Sequence, residues 1–120
     1  MAFASDILFS IDTALQLKGA VNVETLTSST KDLEYSDSTV QILEAHASGD
    51  LKLPAAKSGV IFVLCNTSGS NALEIKIQSG SLLISLAANN AGSPAASTAI
   101  CYCDGTNWHA QVLTSHTAAV

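Results

Sequence analysis

Cys101, Cys103 and His109 fall within nine residues of one another, and two thiolates beside an imidazole are the start of a zinc site. Strand alternation works against it. With Cys103 opposite Trp108 across a hairpin, Tyr102 faces His109 and Cys101 faces Ala110, so both thiols share a face with Trp108 and the imidazole points the other way. No fourth ligand stands at a C-x-x-C or H-x-x-x-H spacing, so neither a metal nor a cofactor is expected. Cys with His is also the pairing of a thiol hydrolase. No Cys stands at a strand-to-helix elbow and there is no G-x-S-x-G, so no catalytic residue is assigned and the chain is not expected to be an enzyme. Asp32, Glu34 and Asp37 space carboxylates loosely as a calcium loop does, but the central Gly and terminal bidentate Glu of that loop are missing, which leaves a solvated acidic loop. Trp108, the single Trp, has the chemistry of a sugar-stacking platform. The expected role is plainer: its indole closes the core beside Cys103 and Tyr102, with the N–H on a backbone carbonyl. His46, His109 and His116 have no carboxylate or thiol partner at a diagnostic spacing and read as solvent-facing or structurally satisfied.

The elements that would position these residues are strands. Val60 to Cys65 is a continuous apolar run with β-branched and aromatic members, the pattern of a central strand covered on both faces. After a turn at Thr67 to Asn71, Leu73, Ile75 and Ile77 alternate with Glu74, Lys76 and Gln78, and the two strands are expected to form a hairpin. Ser79-Gly80 turns the chain into Leu82, Ile84 and Leu86, with Leu83 left on the wrong face for a monomer. Residues 89 to 97 form a loop in which Pro94 could not donate to a central ladder. Thr98 to Cys103 and Trp108 to Leu113 are antiparallel partners around the loop Asp104-Gly105-Thr106-Asn107. Earlier in the chain, Thr39 to Glu44 alternates as a strand, Leu26 to Ser38 reads as a polar surface loop, and Ile7 to Val23 reads as extended or β structure. The expected fold is all-β, a compact antiparallel β-sandwich or barrel. It is one β domain over residues 1–120, most clearly a meander over 51–113, with an extended N-terminal segment at 1–12.

Composition narrows the function. The chain has 120 residues, 48% hydrophobic and 12% charged, against about 25% charged in ordinary soluble domains. So few charges leave apolar surface that sister subunits or a larger assembly must cover. Five basic and ten acidic residues give a net charge of -5, which disfavours nucleic acid and anionic membranes as partners. No apolar run approaches the roughly 18 residues of a spanning helix, and the apolar N-terminus lacks the basic region of an export signal. The odd count of three Cys gives no closed disulfide framework and fits buried thiols in a reducing compartment.

One resemblance is carried by Leu51, Leu53-Pro54-Ala55-Ala56, Gly59, Asn66-Thr67-Ser68, Ala72-Leu73-x-Ile75 and Tyr102-Cys103-Asp104-Gly105-Thr106-Asn107-Trp108. In order and spacing these residues resemble a β module of bacteriophage decoration (cement) proteins that also occurs in phage tail-fibre proteins; it covers about half of the chain. Size favours the decoration role, since a fibre would be expected to be long, with repeats or coiled-coil heptads. The resemblance implies a homotrimer on the exterior of the capsid, made in the host bacterial cytoplasm, that bridges adjacent major capsid protein subunits and stabilises the head. It implies no direct nucleic-acid or membrane contact. The alternative it carries is a trimeric tail-fibre or receptor-binding module that contacts host surface glycans. Under the decoration role, Phe3, Ile7, Leu8, Phe9 and Ile11 are candidates for an arm to a sister subunit or the capsid, with the first strand of the domain core as the alternative, and Val63 and Leu83 are candidates for trimer packing.

Overall fold

Parallel strands cannot be joined by a tight turn, so a chain that stacks them must travel away and return. Here the return path is a second sheet. The computed structural model describes residues 21–27, 30–47, 49–89 and 96–113, of which 51% are strand and none helix. The strands are β1 (Val21–Thr25), β2 (Thr30–Asp32), β3 (Val40–Glu44), β4 (Asp50–Lys52), β5 (Ile61–Asn66), β6 (Leu73–Lys76), β7 (Leu82–Leu86), β8 (Thr98–Cys103) and β9 (Trp108–Leu113). One sheet has the order β1-β3-β5-β8-β9 and the other β2-β4-β6-β7. From β1 to β6 the chain alternates between them, so that three coils stack: Val21, Val40 and Val63 lie in one row of the first sheet, and Thr30, Asp50 and Glu74 in one row of the second. All pairs within the coils are parallel. The antiparallel pairs β5–β8, β8–β9 and β6–β7 finish the stack.

The all-β class therefore stands, and the antiparallel sandwich or barrel does not: both sheets are mixed and neither closes into a barrel. The hairpin expected between β5 and β6 is also absent. Each strand pairs instead with the strand one coil earlier, where Val40 lies beside Val63 and Leu51 beside Ile75. Central placement of β5 and the hairpins β6–β7 and β8–β9 are as expected, the last in the register Cys103↔Trp108, Tyr102↔His109, Cys101↔Ala110. The segment read as a surface loop, Leu26 to Ser38, contains β2 and sends Leu26 and Leu33 into the core. The expected N-terminal segment 1–12 lies outside the described residues.

A single core fills the space between the sheets. Leu43, Phe62, Leu64, Ala99, Cys101, Cys103 and Trp108 enter from the first sheet, and Leu51, Leu73, Ile75 and Leu86 from the second. The corners repeat from coil to coil as well. Leu26 and Ala45 are buried at one corner and Leu33 and Leu53 at the other, and the coils are tied by Leu26 N–H to Glu44 C=O, Leu33 N–H to Lys52 C=O and Leu53 N–H to Lys76 C=O, at 3.0, 2.8 and 2.8 Å. At the first coil the inner layer turns polar. Lys31 pairs with Glu24 at 3.0 Å and Asn22 donates to Gln41 at 2.8 Å, so charged and amide groups seal the open end between the edge strands β1 and β2.

Candidate functional site

The residues that could do chemistry are held apart. Cys65, Cys101 and Cys103 are buried and free. Burial pushes the Cys101 thiol up to about 12, and that of Cys65 in the same direction, the reverse of what a nucleophile or a metal ligand needs. His109 stands on the opposite face of β9 from the core and is exposed. Among the described residues no three His, Cys, Asp or Glu side chains converge on one point, and no helix there is long and apolar enough to cross a membrane. A groove of about 690 Å³ is lined by Asp32, Glu34, Tyr35, Lys52, Pro54 and Gln78 among others. Its Tyr35 hydroxyl donates to Ala55 C=O at 2.6 Å and its ring lies under Lys57, so the polar groups there serve the loop.

Trp108 takes the plainer of its two roles. Its ring is buried against Phe62, with centroids 6.3 Å apart, and its indole N–H donates to Pro54 C=O at 3.1 Å. Four of the residues that carry the resemblance, Pro54, Gly59, Cys103 and Trp108, thus meet at one corner. Gly59 N–H donates to Cys103 C=O and Cys103 N–H to Val60 C=O, both at 3.0 Å, which seats the Leu53 to Val60 corner on the β8–β9 hairpin. At the other corner Asn66 is fully buried. Its Oδ1 accepts from Ala45 N–H and Ser68 N–H, and its Nδ2 donates to Asn71 C=O at 2.7 Å and Ala87 C=O at 3.2 Å. Asn66 pins three segments with one side chain.

Two polar features were not legible in the sequence. Asp104 spans its own loop, with Oδ1 accepting from Asn107 N–H at 2.7 Å and Thr106 N–H at 2.8 Å, and Oδ2 at 2.9 Å from His109 Nε2. The Asn107 amide, then His109 and the Thr106 amide, hold its carboxyl well below the usual range. His109 therefore does have a carboxylate partner, and stacks on Tyr102 with centroids 5.4 Å apart. The D-G-T-N loop was the available signal, since an Asp opening a hairpin loop commonly accepts from the amides two and three residues on. His46 is half-buried, and among the described residues its Nδ1 meets no hydrogen-bond partner, so it is not solvent-facing.

What distinguishes the molecule is the contrast between its two outer faces. On the four-stranded sheet the outward residues are Thr30, Asp50, Lys52, Glu74 and Lys76. Lys76 Nζ lies 2.8 Å from Asp50 and 3.7 Å from Glu74, and these bonds lower the Asp50 carboxyl and raise the Lys76 ammonium. On the five-stranded sheet the outward rows read Val21–Val40–Val63–Ile100–Gln111 and Val23–Ile42–Cys65–Thr98–Leu113, with Ile61–Tyr102–His109 at one end. Val23 is 73% exposed, Val21 56% and Ile61 49%. Glu44 at the end of β3 is the one acidic residue on that face among the described residues. Val63, a candidate packing residue, occupies the centre of the face. Leu83 differs from expectation: a register shift at Ile75/Lys76 lets it pack against the core and leaves Leu82 exposed instead. Phe3, Ile7, Leu8, Phe9 and Ile11 lie outside the described residues.

Fold and site together define a two-sheet, all-β protein of stacked coils with one charged and one apolar outer face. No family model, no curated protein and no solved structure matches the chain.

Proposed function

We propose that this protein is a non-catalytic structural subunit of a bacteriophage virion, a trimeric decoration protein that sits on the capsid exterior, bridges neighbouring major capsid subunits and stabilises the head. The observation that carries the reading is the apolar outer face of the five-stranded sheet on a chain with 12% charged residues. Such a face is a liability in a free monomer and an asset in an assembly. The packing of Pro54, Gly59, Cys103 and Trp108, four of the resemblance residues, at one corner adds support. Joining three modest footprints rigidly gives a tight clamp on a capsid without any single strong contact.

Co-sedimentation of the purified protein with undecorated phage heads tests the reading. Pelleting with heads, together with raised resistance of the heads to heat, is the expected result. Protein that remains in the supernatant at micromolar concentration overturns it, and binding to host surface glycans in its place would assign the chain to a fibre or receptor-binding module.

A further inference from the structure

We infer that the outer face of the five-stranded sheet is the surface through which copies of this chain join one another, with Val63 near its centre. The inference rests on the homo-oligomer reading above and supplies its interface. Charge selects the occupant. The protein carries a net charge of -5, so two copies repel wherever their acidic groups meet. Of the described acidic groups, Glu24, Asp32, Glu34, Asp37, Asp50 and Glu74 lie on the inner layer, on the four-stranded sheet or in its loops, Asp104 at a hairpin tip, and Glu44 alone on the outer face of the five-stranded sheet, at its end. The five-stranded sheet instead presents Val40, Ile42, Ile61, Val63, Ile100 and Leu113. It is where this acidic chain meets an identical acidic chain at the least electrostatic cost, and the buried contact is apolar on both sides.

Size agrees with that occupant. Five strands about 4.8 Å apart and about five residues long at roughly 3.3 Å per residue present about 400 Å² in projection. Accessible surface exceeds projection on a face of protruding side chains, which brings it toward the roughly 800 Å² per partner of a standard interface. The far side of the same strands is the molecule's own core, so β3, β5 and β8 are covered on both faces once the copies meet. That arrangement matches the near-continuous apolar run of β5.

The native mass of the full chain and of Val63→Asp, by light scattering with circular dichroism on the same samples, is the test. The expected result is a wild type near 37 kDa, three times 12.3 kDa, and a folded variant near the single-chain mass, with association weakened more than about 100-fold by an unpaired buried charge. A Val63→Asp protein that keeps the wild-type mass overturns the inference. So does a monomeric wild type. If Val63→Asp is unfolded, Val63→Cys decides: an interchain cross-link through a short bismaleimide supports the interface, and its absence in an intact oligomer overturns it. An oligomer that depends on Val63 yet ignores phage heads keeps this interface and removes the virion reading, so the two fail separately.

Discussion

Three side chains set most of what single substitutions will do. Asn66→Ala leaves the Ala45 amide and the Asn71 and Ala87 carbonyls without their partner in a buried corner, and each such group costs roughly 1–3 kcal/mol. Partial rescue by water brings the expected loss to about 2–4 kcal/mol, read as a lower urea midpoint at unchanged slope. Asp104 governs the acid limb of stability. Its folded-state pKa is lowered, so its contribution is complete above the unfolded value of about 3.9 and is lost as pH falls below it. Asp104→Asn is expected to flatten the fall in urea midpoint between about pH 5 and pH 2, and an unchanged slope there would mean the loop bonds are not coupled to folding. The cysteines behave oppositely. A Cys101 thiol held up to about 12 stays protonated in the fold, so stability falls as pH rises past the unfolded thiol near 8.5. At neutral pH a thiol reagent is expected to reach none of the three until the protein unfolds, and rapid titration of the native protein would contradict their burial. Sequence made the buried cysteines, the Trp108 hydrogen bond to a carbonyl and the β8–β9 register legible, because each depends on neighbours a few residues away or on simple alternation. The Asn66 network was not, since its partners come from three separate segments.

Elements divide the same way. The hairpins β6–β7 and β8–β9 could be read because their turns contain Gly80 and Gly105, whose φ angles of 97° and 105° other residues rarely adopt. The pairing of β5 with β3, and of β6 with β4, could not, since alternation tells which face of a strand is apolar and not which sheet it joins. The coils are also unequal in length, so no fixed period betrays them. Polar Lys31 and Asp32 drew the second strand into a supposed surface loop, yet Lys31 points inward to Glu24 from an edge. That inward charge guards the open end. Lys31→Met is expected to promote edge-to-edge association, visible as concentration-dependent scattering at neutral pH, with secondary structure retained. Should Lys31→Met stay as soluble as the parent, the guarding role is wrong.

At the scale of the whole molecule, the two outer faces make opposite demands on the solvent. The chain's net charge of -5 keeps copies apart, while the apolar face draws them together. Added salt shortens the Debye length from about 10 Å at 0.1 M to roughly 3 Å at 1 M and screens the repulsion while leaving apolar burial intact. Self-association is therefore expected to strengthen with salt in sedimentation equilibrium; weakening would point to an interface held by ion pairs. The stacked coils have one more consequence, which concerns synthesis. A ribosome delivers β1 to β4 first, and these already hold the pairs β1–β3 and β2–β4, but β5 has its antiparallel partner only when β8 emerges. The nascent chain must carry the apolar strand Ile61–Asn66 with one edge unpaired until Thr98–Cys103 has been translated. An open apolar edge invites wrong pairing, so chains truncated before Thr98 are expected to be handed to chaperones or lost as aggregates.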